Sequence, residues 1–336
     1  MKRSILGLMY LIQGMRQTEI DIDARLASIG LQADALDPSS IIHPSVERAI
    51  QNVIAKDVDP LVGLMVGQHY ALAVYGPLLM LLVTSQTVYA AVQNGVRFQG
   101  LTHLSGILGS TINAQEAALT YRSNELLSDT DLFRAHCEIS GTYKFIKDIY
   151  QMVGLDIPQI RVELPFDTPE DAYILQKYQH YYGNNIHFGA EQAVFWFDQQ
   201  LLDFKLTSAD MITFRVYEAK CVAEIARLNE EEEVLNPLID RVQNYLELQK
   251  GILPTMTETA FALNIPERTL RHQLQQLNTS YKEIREQLMK HKALRLIEYK
   301  EYSIEVIAEM LGYSEPAAFN HAFKRWFGQS PRQYGK

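Results

Sequence analysis

Apolar residues in the first hundred positions of this chain recur every three or four residues. This spacing is typical of amphipathic helices, because it gathers the apolar side chains on one face. It predicts helices in segments 5–15, 22–29, 46–55, 61–70 and 84–98. Pro44 and Pro60 mark two helix starts, since proline suits the first turn of a helix.

The middle of the chain contains stretches in which apolar and polar side chains alternate, as they do in half-buried strands. The alternation predicts strands within 104–122 and 158–166 and at 186–188 and 193–197. Thr168 and Pro169 predict the cap and the first position of another helix, and segment 207–210 predicts the start of a long one. An α+β domain with many helices and a small sheet is therefore expected.

The last hundred residues follow helical spacing throughout and contain two similar segments. Ala260, Leu263 and Pro266 reappear 48 positions later as Ala308, Leu311 and Ser314, and Leu270, His272 and Leu274 reappear 49 positions later as Phe319, His321 and Phe323. Each copy combines a short helix, a turn and a second, more polar helix, which is the helix-turn-helix plan. Ser280 opens a helix of about 18 residues between the copies. An all-α domain with two helix-turn-helix units joined by a long helix is expected.

The second helix of each copy is amphipathic, with a buried stripe formed by Leu270, Leu274 and Leu277 or by Phe319, Phe323 and Phe327. The outward positions that we assign to base readout are Arg268, Arg271, His272, Gln275, Pro316, Ala317, Asn320 and His321. Arg, Asn and Gln are suited to reading base edges in the major groove. Lys324, Arg325 and Arg332 are assigned to phosphate contacts, which position a protein without reading sequence.

The charge distribution agrees with a DNA contact at this end of the chain. The formal net charge of the whole sequence is −9, yet segment 236–336 holds 14 Lys and Arg against 11 Asp and Glu, which gives +3 and leaves −12 for the remainder. Such an asymmetry is a hint of nucleic-acid binding. The four glutamates at 230–233, followed by Pro237, mark a boundary between the two parts.

Segment 311–328, with Ser330, Pro331 and Tyr334, closely resembles the signature of AraC/XylS-type transcriptional regulators. Segment 266–274 resembles the recognition helix of that family's first unit. The resemblance covers 236–336 and implies double-stranded promoter DNA as the partner. Family members commonly carry Arg where this chain has His272 and His321, which implies weaker readout there, and a capping Ser or Thr where it has Pro266. The second unit is therefore expected to be nearer the family pattern, and the first unit to be the weaker reader of bases.

The first part of the chain is similar to the arabinose-binding-type regulatory domain of one AraC-like branch. The similarity lies in segments 75–77, 87–92, 186–190, 195–198, 201–206 and 209–210. It implies an effector-binding and often dimer-forming domain, and it does not require the ligand to be a sugar. The predicted organisation is an effector-binding and dimerisation domain at 1–229, an acidic linker at 230–236 and an AraC-type double helix-turn-helix domain at 237–336.

Enzyme chemistry finds little support in the sequence. The nine histidines show no metal-ligand spacing, there is no nucleophile elbow or phosphate-binding glycine loop, and Cys137 and Cys221 offer no disulfide framework. His136 and Cys137 are predicted to be buried structural residues. No catalytic residue, metal or cofactor is expected. No apolar run is long enough for a membrane helix, so a cytoplasmic protein without membrane contact is expected.

The sequence thus predicts a regulator that binds DNA in a sequence-specific way and responds to an unidentified small-molecule effector. RNA polymerase is a further candidate partner, and a homodimer, conditional on the effector, is the expected assembly. Two alternatives stay open at this point. The helical C-terminal domain could bind a protein partner instead of DNA, or the N-terminal domain could be a dimerisation platform that takes no ligand.

Overall fold

The computed structural model describes residues 2–154, 156–157, 159–229, 236–298 and 302–334. The helices are α1 (Leu6–Met15), α2 (Ile22–Ala27), α3 (Pro44–Ile54), α4 (Val62–Val66), α5 (Pro77–Val83), α6 (Val88–Arg97), α7 (Asp129–Met152), α8 (Ala172–Tyr182), α9 (Met211–Asn229), α10 (Pro237–Glu247), α11 (Met256–Ala262), α12 (Glu267–Gln276), α13 (Tyr281–Glu298), α14 (Ile304–Met310), α15 (Pro316–Phe327) and α16 (Pro331–Tyr334). The strands are β1 (Arg3–Ser4), β2 (Ile41–Ile42), β3 (Ile107–Ile112), β4 (Glu116–Arg122), β5 (Arg161–Leu164), β6 (Ile186–Phe188) and β7 (Ala193–Asp198). The predicted fold class, α+β followed by all-α, is confirmed.

Contacts divide the chain into two compact units. The α+β unit comprises the described residues of Leu6–Ile20 and Asp57–Glu230, and the helical unit comprises those of Met1–Ile5, Asp21–Lys56 and Glu231–Lys336. Segment 21–56 therefore packs with the C-terminal helices, although it precedes most of the α+β unit in the chain. The domain boundaries drawn from the sequence at 229 and 237 stay a prediction. The glutamates of the predicted linker lie outside the described residues, and Asn236 caps α10.

The α+β unit contains a five-stranded sheet in the order β3-β4-β7-β5-β6. All neighbouring strands are antiparallel except β5 and β6. One face of the sheet is apolar because alternate residues of each strand point the same way, and Tyr121, Val162 and Phe195 on that face are fully buried. They pack against Ile139 and Tyr143 of α7, the long helix that crosses this face.

Helix α7 has 24 residues, and several of its buried side chains are polar or charged. The carboxylate of Glu138 accepts hydrogen bonds from the Tyr121 hydroxyl at 2.5 Å and from the Ser105 backbone N–H at 2.9 Å. His136 stacks on Phe166 and bonds to the Tyr178 hydroxyl at 2.6 Å. Burial lowers the pKa of His136 to about 4, so the ring is neutral near pH 7. The predicted structural burial of His136 and Cys137 is confirmed.

The helical unit begins with the two-stranded ribbon of β1 and β2, and its first long helix, α3, packs against α10 and α11. Side chains of α10 bond to the N-terminal segment: the Tyr245 hydroxyl donates to the Ile29 carbonyl at 2.5 Å, and the Asn244 amide donates to the Ile41 carbonyl at 2.9 Å. These partners are 216 and 203 positions apart in the chain. The N-terminal segment is thus an integral part of the core of this unit.

Most predicted elements are confirmed, with one local correction. The helix expected to begin at Thr168 and Pro169 begins at Ala172, because Asp171 supplies the cap by accepting the Tyr173 N–H at 2.7 Å. Asp210 caps α9 in the predicted segment by accepting the Thr213 N–H. No helix among the residues that the structure describes combines the length and apolar character required to cross a bilayer.

Candidate nucleic-acid interface

The first helix-turn-helix unit consists of α11, a four-residue turn at 263–266 and α12. Helix α11 begins with a complete capping box, in which Thr255 and Glu258 bond to each other's backbone N–H groups. The turn contains Asn264 at a φ of 55°, the left-handed conformation that Asn tolerates better than most residues. Ala260 is buried where the two helices meet.

The second unit repeats this geometry with α14, a turn at 311–315 and α15. Gly312, 48 positions after Asn264, has a φ of 77°. A Cβ at Gly312 would lie 2.7 Å from the carbonyl carbon of Gly251, so only glycine fits both the conformation and the space. Ala308 is buried at the position equivalent to Ala260. The predicted duplication therefore has a matching backbone in both copies.

Helix α13 joins the two helix-turn-helix units and has the predicted 18 residues, a length of about 27 Å at 1.5 Å per residue. Ser280 caps it by accepting the Glu283 N–H at 3.2 Å. At its first turn the Tyr281 hydroxyl donates to the Pro254 carbonyl at 2.7 Å and lies 2.9 Å from the Thr259 hydroxyl, which fixes the helix to the first unit. Its last turns contribute Ala293 and Ile297 to the core of the second unit.

Helix α12 buries Leu270 and Leu274, which directs its opposite face to solvent. The four residues assigned to base readout on this helix, Arg268, Arg271, His272 and Gln275, are all exposed. The Arg271 guanidinium forms an ion pair with Glu267, one turn earlier, at 2.6 Å. Helix α12 begins at Pro266 without a side-chain cap, as its sequence predicts.

Helix α15 buries Phe319 and Phe323, and Ala317 and His321 on its opposite face are exposed. Pro316 and Asn320 are half-buried, and the Asn320 amide donates to the Pro316 carbonyl at 3.1 Å. Asn320 is therefore less exposed than Arg271, the equivalent residue of α12, whose guanidinium is paired with Glu267. Helix α15 also starts without a side-chain cap, so the two recognition helices are alike in this respect.

The three residues assigned to phosphate contacts, Lys324, Arg325 and Arg332, are exposed. Arg325 lies 3.9 Å from Glu286 of α13, a distance at the limit of an ion pair. Thr269 and Gln276 of α12 are also exposed, and the sequence assignment, which took outward positions of each recognition helix, did not include them.

The described part of this surface holds neither a candidate metal cluster nor a cysteine. Among the residues that the structure describes, no group of three or more His, Cys, Asp and Glu side chains could hold a metal ion. Cys137 and Cys221 are free and buried in the α+β unit. Burial raises the pKa of both thiols, and that of Cys221 rises to about 11.

Comparison with known proteins identifies the two regions independently. Residues 20–206 match the family described as the arabinose-binding domain of AraC transcription regulators, and residues 259–336 match a helix-turn-helix domain. The chain belongs to the AraC family of transcription regulators. Members of this family bind DNA and are not enzymes, which confirms the expectation that the chain is not an enzyme.

Curated AraC-type relatives match along most of the chain. The ornithine utilization regulator of Pseudomonas aeruginosa is 24% identical over 82% of this chain and 78% of its own length. An uncharacterized HTH-type transcriptional regulator of Mycobacterium bovis is 24% identical over 90% of this chain and 87% of its own. The crystal structure of the transcriptional regulator CdpR from Pseudomonas aeruginosa aligns over 94% of this chain and 96% of that chain, with 23% identity and a TM-score of 0.45.

Proposed function

We propose that this AraC-family regulator binds double-stranded promoter DNA by placing α12 and α15 in two successive segments of the major groove. Arg268, Arg271, His272 and Gln275 of α12 contact base edges, together with Pro316, Ala317, Asn320 and His321 of α15. Lys324, Arg325 and Arg332 contact phosphates and fix the register of the protein on the duplex. Two such segments on one face of B-DNA are about 34 Å apart.

The observation that carries this proposal is the exposed polar face of α12. Leu270 and Leu274 are 0% and 1% exposed, whereas Arg268, His272 and Gln275 on the opposite side are exposed. A helix that docked into an apolar groove of a protein partner would need apolar residues on this face. Arginine and glutamine side chains instead match the donors and acceptors of base edges.

The α+β unit is proposed to bind a small-molecule effector and to form a homodimer whose geometry depends on that effector. Two chains would then present four recognition helices, and effector binding would change how well these match the promoter. RNA polymerase is the proposed partner of the DNA-bound regulator. The charge of −12 outside segment 236–336 repels DNA and so confines DNA contact to that segment.

The test is fluorescence anisotropy of the full-length protein on duplexes taken from upstream of its own and neighbouring genes. Binding is measured at several salt concentrations with random DNA as competitor. We expect binding at least a thousandfold tighter than to random DNA, with a steep salt dependence from phosphate contacts. A shallow salt dependence, or no binding by the full chain, would contradict the proposal and favour a protein partner.

A further inference from the structure

The α+β unit contains a cavity of about 130 Å³ between α5, α6, α7 and the sheet. Its wall includes Leu78 and Leu82 of α5, Ile146 and Ile149 of α7, and Leu119 and Phe197 of the sheet. Almost the whole wall is apolar. The cavity thus lies inside the domain that matches the arabinose-binding family, yet its lining differs from what a sugar requires.

The hydroxyl groups of the cavity wall are mostly already bonded to protein. The Tyr75 hydroxyl lies 3.1 Å from His103 Nδ1, and the Thr142 hydroxyl donates to the Glu138 carbonyl at 2.8 Å. The Thr102 hydroxyl donates to the Gln99 carbonyl at 2.6 Å. A sugar in this cavity would bury several hydroxyl groups without partners, and each would lose its hydrogen bonds to water.

Tyr150 is the exception among the hydroxyl-bearing residues of the wall. It is half-buried, and its hydroxyl makes no hydrogen bond with the other described residues. Burial raises the pKa of Tyr150, so the hydroxyl is protonated near pH 7 and can donate or accept a hydrogen bond. One neutral hydroxyl group among the residues of an otherwise apolar wall suits a ligand that has a compact hydrocarbon body and at most one polar substituent.

The volume of the cavity limits the size of the ligand's hydrocarbon body. An apolar cavity of about 150 Å³ in another protein stays dry and accepts benzene. We propose that this cavity binds an uncharged apolar molecule whose buried part is the size of a six-carbon ring, with Tyr150 as the hydrogen-bond partner of a single polar substituent. The proposal rests on the function proposed above, because it names the chemical class of the effector that the α+β unit would sense.

The experiment uses the full-length protein with benzene and phenol as probes and L-arabinose as the polar comparator. Calorimetric melts at saturating probe are expected to show that benzene and phenol raise the melting temperature by about 2–4 °C, because a ligand of the folded state stabilises it by mass action. L-arabinose is expected to leave it unchanged. In Tyr150→Phe, benzene should bind as before, while phenol should lose at least threefold in affinity.

A cavity-filling variant provides the matched control. Ala91 lines the cavity and Ala90, its neighbour on α6, does not, so Ala91→Leu should weaken benzene binding at least tenfold and Ala90→Leu should leave it unchanged. Circular dichroism checks that both variants fold. Gly95→Val is the second filling variant, because a Cβ at this wall position approaches only Leu82, at 3.9 Å.

DNA binding is measured in parallel, so that a failure of the cavity proposal can be distinguished from a failure of the DNA-binding proposal. Probe binding that Ala91→Leu removes supports the cavity assignment, even in a protein that shows no specific DNA binding. Specific DNA binding by a protein that no apolar probe stabilises overturns the cavity assignment and leaves the DNA-binding proposal intact. Stabilisation by L-arabinose, or equal benzene binding by Ala91→Leu and Ala90→Leu, also overturns it.

Discussion

The two helix-turn-helix units share a backbone plan but differ in what holds them together. In the first unit, buried hydroxyl and amide groups form specific hydrogen bonds, such as the Thr259–Tyr281 pair, and α3 of the N-terminal segment packs on α10 and α11. The described hydrophobic core cluster of the second unit comes from residues 289–327, the Tyr334 ring lies 5.7 Å from that of Phe323, and Phe319 and Phe323 are the largest buried side chains of the cluster. A side-chain hydrogen bond thus ties the first copy to α13, whereas aromatic packing fills the core of the second, in which the Met310 carbonyl also accepts the Gly251 N–H at 3.0 Å.

This difference extends to the surface. The positions of Arg268 and Gln275 in α12 correspond to Ala317 and Lys324 in α15, so the positions assigned to base readout carry more hydrogen-bonding side chains in the first recognition helix. The family resemblance implies the reverse, that the second unit lies nearer the pattern.

The largest expected effect is on the aromatic core of the second unit. Phe323→Ala should destabilise this unit by about 3–5 kcal/mol, because it removes a fully buried ring and leaves a cavity. Trp326 packs on the same core and reports its unfolding by fluorescence in a Trp196→Phe background. Phe261→Ala, at an exposed position of α11, is the matched control. An unchanged Trp326 transition in Phe323→Ala would contradict the assigned core.

The next effect separates the two units. Asn244→Ala should destabilise the packing of α10 on the N-terminal segment, and with it the neighbouring first helix-turn-helix unit, by about 2–4 kcal/mol. The reason is that the His43 N–H and the Ile41 carbonyl lose their partners. Hydrogen exchange should become faster in α10 and α11 and stay unchanged in α14 and α15. Gln276→Ala, at an exposed site, should change neither region. Equal acceleration in both units would show that they unfold as one.

A smaller effect is expected on DNA affinity. Arg268→Ala should cost about 1–3 kcal/mol on the promoter and relax specificity at one base pair, and Asn320→Ala should do the same on the second half of the site. Lys324→Ala should weaken binding to promoter and random DNA alike. Anisotropy titrations on both duplexes measure this difference. If all three variants lose affinity equally on promoter and random DNA, the assignment of roles is wrong.

The smallest effect is a pH dependence of the N-terminal segment. Desolvation lowers the pKa of His43, whose Nδ1 accepts the Ser45 N–H at 3.3 Å and so caps α3. Because the folded-state pKa lies below the unfolded value of about 6.5, this stability is present above pH 6.5 and is lost as the pH falls. Hydrogen exchange in α3 should therefore accelerate between pH 7.5 and 5.5. His43→Asn keeps a capping side chain, and its α3 should show no such change beyond the intrinsic pH dependence of exchange.

Local sequence patterns predicted most of the helical unit. The spacing of Leu270 and Leu274 and the cap at Ser280 depend on residues close together in the chain. One local prediction was wrong: Thr168 and Pro169 suit a helix start, but Asp171 offers a competing cap three residues later. Cap residues in a polar stretch compete, and only the surrounding packing selects among them.

Contacts between distant residues could not be predicted in this way. Asn244 bonds to His43 across 201 positions, and no periodicity of either segment specifies the other. The cavity wall likewise combines residues from 75 to 206, and its volume depends on how closely α5, α6 and α7 approach the sheet. In the sequence, an apolar residue of the cavity wall cannot be distinguished from an apolar residue of the hydrophobic core.

The sequence by itself therefore determined the family, the two helix-turn-helix units and the solvent-facing residues of α12, because these depend on spacing within one or two turns, whereas Pro316 and Asn320 of α15 are half-buried. Only the tertiary structure decided that segment 21–56 belongs to the helical unit and that the α+β unit encloses an apolar cavity. Both features depend on how helices and strands that are distant in the sequence pack together. Burial of apolar surface favours such packing but has no direction, so many arrangements of the same helices and strands would satisfy the same local pattern.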